Sequence, residues 1–521
     1  MAATVIQART PVTTPTPRTA TPATPATTAT TRRWYTLAVL CLSLLVIVID
    51  TTIVNVALPT LATHLHASTS SLQWIVDAYT LTFAAVLLLA GALADRYGRH
   101  HALRAGLALF GAGSAAAAFT HTATELIAVR ALMGLGAAFI MPSTLSVISS
   151  VFTVPAERAK AIGIWSAVSG LGVATGPVAG GFLLAHFSWS SVFVVNVPLV
   201  ALALVAGRWL VPPSKAPAAR RLDPLGAVLS VAALTAVTYT LIQAPGAGWL
   251  SVTTAIRAVI SAIGVAAFIV SQVRSDHPML PVGFFRDRRF AASSGSVTIL
   301  FFALAGVMFL TTQVYQFVLG YSPLAAGLRA LPSAIALAAV SPLSTRISQR
   351  FGLRLVTTLG LLVVTAGLAF YSTAATGDGY GHYVIAMVIM SSGVGLAMAP
   401  ATTAIMRSVP LPQAGVASAV SDTTRNIGTV LGVAVTGSVS ASVFASRMAA
   451  AHSPARSLAA VATLTRHAAS PAHVAGNVAP AANLLHTASS AFVAGADRGA
   501  LAAAAITALA AITAFRVLRN R

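Results

Sequence analysis

Charge is what this chain has least of. Asp, Glu, Lys and Arg make up 8% of its 521 residues, against 56% hydrophobic residues, and its mean hydropathy is +0.83. Soluble domains carry about 25% charged residues, so a water-facing globular protein is excluded. Acids are scarcest: 11 Asp and Glu stand against 32 Lys and Arg. Cysteine is all but missing. Cys41 stands alone in an apolar stretch, which excludes an intrachain disulfide and any thiolate metal site. No GxxxxGK[ST] phosphate loop occurs, so a P-loop ATP-driven pump is excluded. Neither a metal-ligand spacing nor a nucleophile–base pair points to an enzyme. The formal charge of +21 is not a nucleic-acid footprint, because no basic cluster is interleaved with aromatics in a soluble segment.

What is there is a series of fourteen apolar segments, each near the roughly 20 residues needed to cross hydrocarbon. They cover 34–58, 71–93, 102–120, 125–150, 160–185, 191–212, 224–244, 252–273, 291–317, 325–345, 355–374, 382–405, 415–444 and 497–516. The expected fold is therefore an all-α integral membrane protein. Residues 1–31, rich in Thr, Pro and Ala, read as a disordered cytoplasmic tail rather than a signal peptide. Basic residues gather in alternate connections, around Arg33, Arg99, Arg158, Arg221, Arg289, Arg350 and Arg407, while the short connections between them hold none. The cytoplasmic bias of Lys and Arg then places both termini inside the cell membrane. One exception is a long outside loop, 445–496, with Arg447, Arg456 and Arg466.

An internal echo supports a duplicated architecture. GALADRYGRHHAL (91–103) follows the second segment and TRISQRFGLRLV (345–356) the tenth, with Gln349 where the first copy has Asp95. Setting segments seven and eight aside leaves six plus six, and repeated halves with a site between them mark secondary transporters. The expected domains are a six-helix bundle over 32–212, a linker with two extra helices over 213–290, a second six-helix bundle over 291–516, and a tail, 517–521.

Ionisable groups inside the membrane are functional candidates. Asp50 and Asp77 lie 17 residues after Arg33 and 18 before Asp95, which puts both about 25 Å from the arginine-bearing ends. Arg130 falls at a similar depth, so the three are expected to form a hydrated, partly neutralised cluster, unless Glu125 takes Arg130. Asp422 and Arg425 share a helix face with Asn426 and can pair; counting from Pro412 sets Asp422 about 15 Å deep, near the midplane. A carboxylate in a low-dielectric cleft holds its proton near neutral pH, because burial disfavours the charged form. A cationic substrate would expel that proton, which is the minimal scheme for proton-coupled exchange. Trp74 and Tyr79 flank Asp77 and are placed to stack on a flat cation. Asn55, Trp165, Tyr315 and Gln316 are further candidates for a cavity lining. Trp189 and Phe193 are expected at the outer interface.

The run GLGVATGPVAGG (170–181) sits inside the fifth segment. Its proline bends a helix and its glycines admit a neighbouring helix closely. Gly172, Gly176, Pro177, Gly180 and Gly181 therefore read as a joint between moving parts, without a titratable group of their own.

Four motifs together resemble the major facilitator superfamily, and more narrowly its fourteen-spanner drug–proton antiporter branch, the EmrB/QacA type. They are DTTIVNVALP (50–59), GALADRYGR (91–99), RALMGLG (130–136) and the 170–181 run. The resemblance covers about 34–516. It implies two six-helix bundles plus two linking helices, and a cytoplasmic gate at Gly91, Asp95, Arg96, Gly98 and Arg99, with Asp95 and Arg96 pairing across the halves. It implies a proton-transfer role for Arg130, an exporter's fifth helix, and an acid at Asp77 that serves bulky organic cations. The expected function is proton-coupled efflux of amphipathic drugs or antibiotics by alternating access. The partners would be a small amphipathic molecule, protons and the lipid bilayer, with a monomer and no metal or cofactor. Export of an endogenous antibiotic, lipid or siderophore is the first alternative, and a transport-inactive sensor or scaffold is the second.

Overall fold

The computed structural model describes residues 26–214, 223–409, 414–450 and 478–518. Among the described residues there is no strand, and fourteen long helices follow one another. In chain order they are α1 (Ala26–His64), α2 (Thr69–Tyr97), α3 (Arg99–Ala117), α4 (Ala123–Val151), α5 (Pro155–His186), α6 (Ser191–Leu210) and α7 (Pro224–Ala247). Then come α8 (Val252–Arg274), α9 (Arg288–Val318), α10 (Pro323–Phe351), α11 (Leu353–Tyr371), α12 (Tyr380–Arg407), α13 (Ala414–Ala450) and α14 (Val478–Val517). Thirteen are long and apolar enough to cross a membrane. The other is α3, whose first turns carry Arg99, His100, His101 and Arg104.

The expected outside loop 445–496 is not a loop at either end. Helix α13 continues to Ala450 and α14 already begins at Val478, so Arg447 and Arg498 are helical. Asn483, His486, Asp497 and Arg498 dilute the hydropathy of that stretch, but its alanines are the strongest helix formers. Arg456 and Arg466 lie outside the described residues, as do Lys215, Arg220, Arg221, Pro412 and most of both tails.

The same packing pattern occurs twice. In the first half α1 packs on α5 and α6, α4 lies between α2 and α3, and α3 meets α6. In the second half α9 packs on α13 and α14, α12 lies between α10 and α11, and α11 meets α14. The echoed loops take the same shape: Gly98 (φ 115°) and Gly352 (φ 85°) form one-residue turns from α2 to α3 and from α10 to α11. That positive φ favours glycine. Between the halves, α2 meets α13, α5 meets α10 and α1 meets α9. Helices α7 and α8 form a hairpin, with α7 laid along the α2–α13 seam. Ser438 donates to the Leu241 carbonyl, and the Trp249 indole to Ser442.

One end of the molecule carries Arg33, Arg99, Arg158, Arg350 and Arg516 and is termed the arginine-rich face. The halves are joined at the opposite, arginine-poor face. There Gly181 lies on Leu324, with room for no side chain, and Gly327 lies on the Pro177 carbonyl. Away from that contact α5 and α10 diverge: Gly163 and Gly170 look into open space. The conformation is closed at the arginine-poor face and open at the other.

Candidate functional site

The core of the first half is built around a buried ion pair. Asp50 on α1 and Arg130 on α4 are 0% and 1% exposed, and Arg130 Nη1 donates to Asp50 Oδ2 at 2.5 Å. Asn196 on α6 donates to Asp50 Oδ1 (3.0 Å) and to Ser114 Oγ on α3 (3.1 Å). Arg130 Nε donates to the Ile75 carbonyl (3.1 Å), and its guanidinium lies 4.2 Å from the centre of the Tyr79 ring. All of α1, α2, α3, α4 and α6 thus converge on one pair of charges. Glu125 takes no part. It closes a capping box with Thr122 at the start of α4 and accepts from the His121 and Thr122 amides.

The expected three-charge cluster does not form. Asp77 is 0% exposed, but neither of its oxygens has a hydrogen-bond partner among the described residues. The reason is rotational. Gln73, one turn earlier on α2, donates to the carbonyls of Val433 (3.2 Å) and Ala434 (3.1 Å) on α13. Asp77 shares that face, whereas Tyr79 lies towards α4 and Arg130. Tyr79 is therefore a core residue stacked near Phe83 and Phe110, not a partner of Asp77. Trp74 lies against Tyr239 of α7. Phe193, expected at the interface, is fully buried; its carbonyl accepts from Ser114.

In the second half Arg425 does meet Asp422, at 3.3 Å, and Asn426 donates to the Asp422 carbonyl (2.7 Å). Arg425 also donates to Thr402 of α12 (3.2 Å). Asp422 stands only eight residues into the 37-residue α13, so it lies towards the arginine-rich face rather than the midplane. Where the first half has its ion pair, the second has a neutral contact, with Thr311 on α9 within hydrogen-bond distance of Tyr371 of α11 (3.3 Å) and Met387 Sδ of α12 (3.7 Å); the nearest acid is Asp497 of α14, behind Tyr371 and Tyr383.

The candidate gate loop is tied within its own half. Arg99 Nε donates to Asp95 Oδ1 (2.9 Å) and Arg99 Nη1 to the Ser146 carbonyl on α4 (3.1 Å). The Arg96 guanidinium lies 5.7 Å from the ring centre of its neighbour Tyr97. Among the described residues no ion pair joins Asp95 or Arg96 to the second half, as the open arginine-rich face requires. Gly91 passes Pro142 of α4. On α5 the glycines divide by face. Gly172, Gly176 and Gly180 pack on Val48, Thr52 and Ile53 of α1 inside the half, and Pro177 and Gly181 meet α10 across it.

A cavity lies between the halves just inside that closed joint. Asn55 and Tyr315 line it, with Thr52, Thr311, Ser333 and Arg329. An apolar cleft adjoins it, lined by Val173 and Ala174 of α5, Leu304 of α9, and Leu331 and Leu337 of α10. Gln316 reaches across and donates to the Val56 carbonyl on α1 (2.8 Å). Tyr315 and Gln316 belong to a single π-helical turn, Val314–Val318, that ends α9; such turns often sit at functional sites. Trp165 donates to Thr144 within the first half (3.2 Å). Sequence reasoning missed Asn196 and Arg329. For Arg329 a signal was available, a lone arginine at the fifth position of an apolar segment.

Residues 40–433 match the Major Facilitator Superfamily. The chain is 38% identical over 403 residues to "Multidrug resistance protein Stp" of Mycobacterium tuberculosis (strain CDC 1551 / Oshkosh), covering 76% of this chain and 74% of that protein. It is 37% identical over 408 residues to "Multidrug efflux pump LfrA" of Mycolicibacterium smegmatis (strain ATCC 700084 / mc(2)155), covering 78% and 81%. In fold it is similar to the crystal structure of a bacterial homolog of the human lysosomal transporter Spinster. The TM-score is 0.65 at 17% identity, over 93% of this chain and 97% of that one.

Proposed function

The chain belongs to the Major Facilitator Superfamily, and from that premise we propose that it exports amphipathic drugs or antibiotics across the cell membrane in exchange for protons. It is a transporter and not an enzyme. We place it in the fourteen-spanner drug–proton antiporter branch, with moving halves at 32–212 and 291–516 and the α7–α8 hairpin between them. The arginine-rich face is the cytoplasmic one, by the distribution of Lys and Arg, so both termini are cytoplasmic and the described conformation opens inward.

The observation that carries proton coupling is Asp77. It lies on the face of α2 that meets α13, so it belongs to the seam between the halves, and it is buried there without a polar partner among the described residues. An ionised carboxylate in that position would forfeit several kcal/mol of solvation with nothing among the described residues to replace it, and we therefore assign Asp77 as the group that takes up and gives back the proton. Rocking of the halves opens the seam and lets that proton leave. Asp50 and Arg130 sit within one half and stay closed during such a motion; they hold the bundle around the seam. Drug and proton then take turns at the interface between the halves.

The test uses everted membrane vesicles with an internal pH indicator. Adding a transported aromatic drug to the wild type should release protons from the vesicle interior. Asp77→Asn should abolish that release and still permit exchange of labelled drug for unlabelled drug. Proton-driven efflux at the wild-type rate in Asp77→Asn would refute the assignment.

A further inference from the structure

Among the described residues that line the cavity between the halves one carries a formal charge, and it is positive. Arg329 stands near the start of α10, where the joint with α5 closes the arginine-poor face. Its guanidinium lies over Tyr321 at 4.0 Å from the ring centre and 5.7 Å from that of Tyr380. Tyr380 Oη donates to the Arg329 carbonyl (3.0 Å), which fixes the backbone that carries the side chain. Arg329 makes one hydrogen bond, from Nη1 to the Ala325 carbonyl at 3.3 Å, and among the described residues no carboxylate pairs with it. A guanidinium has five N–H donors in a planar fork. Stacking on tyrosine faces holds the plane of that fork without consuming its donors.

The acids lie outside that lining. Asp50 is locked inside the first half, Asp77 shares the α2 face that meets α13, and Asp422 is paired with Arg425. Asp378 lies beside His382, and Asp497 of α14 stands behind Tyr371 and Tyr383; among the described residues no acid lines the cavity itself. Its remaining polar lining is neutral, from Thr52, Asn55, Thr311, Ser333 and Tyr315. A cation placed here would meet Arg329 with no opposing charge in the described lining. An anion would meet a preset fork, where charge-assisted bonds form in a site screened from water. The apolar cleft next to it supplies the other half of an amphiphile's shape.

We propose that this cavity binds amphiphiles with an anionic head, a carboxylate or an acidic phenolate, held by Arg329 among Tyr315, Tyr321 and Tyr380, with the apolar body in the cleft between α5 and α10. This rests on the transport reading above and reverses the cationic preference expected from the sequence.

The test compares three anthracene probes of one shape: the 9-carboxylate, the neutral 9-methanol and the 9-methylammonium. Binding to the full-length protein in detergent micelles is measured by equilibrium dialysis, with no proton gradient. The wild type should bind the carboxylate at least about tenfold more tightly than the ammonium, which is about 1.4 kcal/mol. Arg329→Gln should weaken the carboxylate about tenfold and leave the methanol within about twofold; Arg329→Lys should keep part of the preference. Asn55→Asp, which sets an acid across the cavity, should also weaken the carboxylate and serves where Arg329→Gln does not fold. The proposal fails if the wild type binds the ammonium as well as the carboxylate, or if Arg329→Gln weakens all three probes alike. Because dialysis needs no gradient, a charge preference without proton release in vesicles would refute the antiport reading and leave this one standing.

Discussion

Asp50 and Asp77 are both buried carboxylates, yet removing them should have opposite costs. Asp50 neutralises Arg130 in a core that water does not reach. Asp50→Asn leaves that guanidinium buried and unpaired, a loss of roughly 3–5 kcal/mol. Thermal unfolding in detergent should show a lowered midpoint, and Asp50→Asn combined with Arg130→Gln should recover most of it. Asp77→Asn breaks no hydrogen bond, so its midpoint should stay at or above that of the wild type while proton release is lost. A large destabilisation by Asp77→Asn would mean that the seam contains a partner for it. Both acids were legible in the sequence, since charges are rare in apolar segments. So was Arg130 as a neighbour of Asp50; the amide that completes the site was not. Asn196 is one neutral amide near a helix end, and nothing in its neighbourhood shows that it would meet Asp50, 146 residues away. The side on which Asp77 falls also depends on helix rotation, which hydropathy does not encode.

Helix α5 shows how one element can serve two contacts. Its glycines at 172, 176 and 180 recur every fourth residue and seat α1; Pro177 and Gly181, offset round the helix, seat α10. Gly176→Val would drive a side chain into Thr52, inside a half that stays packed in every conformation, and should lower the unfolding midpoint. Gly327→Val would meet the Pro177 carbonyl only while the arginine-poor face is closed. It should leave stability near that of the wild type and raise the labelling of a cysteine introduced at Asn55 by a membrane-impermeant thiol reagent applied from that face. Equal labelling in both backgrounds would show that the contact does not hold the closed state. The sequence made α5 legible as a joint, because glycine and proline are conspicuous in an apolar run. It did not disclose the two faces, nor the π turn at Val314–Val318, where no proline or glycine announces the extra residue. The ends of α13 and α14 escaped for a related reason: a hydropathy scan stops at a few polar residues, and a helix does not.

Across the whole molecule the scaffold is duplicated and the chemistry is not. The pairing of helices repeats from one half to the other, down to the glycine turns at 98 and 352. Asp50 and Arg130 nevertheless have as counterparts in the second half a neutral contact of Thr311 with Tyr371 and Met387. Repeated apolar segments made the duplication legible; the divergence of the two cores depends on contacts between distant residues and became visible only in three dimensions. A symmetric scaffold suits rigid-body rocking, and rocking must break the α5–α10 joint once per cycle. That joint can be trapped. Cys41 is the chain's single cysteine and is buried, so Cys41→Ser gives a cysteine-free background at small cost. A side chain at Gly181 would lie 2.5 Å from Leu324 Cα and 2.6 Å from the Pro323 carbonyl oxygen, backbone atoms that can yield only if the joint parts. Gly181→Leu should therefore hold the arginine-poor face open. In the cysteine-free background carrying Asn55→Cys it should raise labelling from that face by an impermeant thiol reagent, and drug efflux should stop while the unfolding midpoint stays near that of the wild type. If Gly181→Leu exports drug at the wild-type rate, the halves need not close at this joint, and alternating access must seal the arginine-poor face elsewhere.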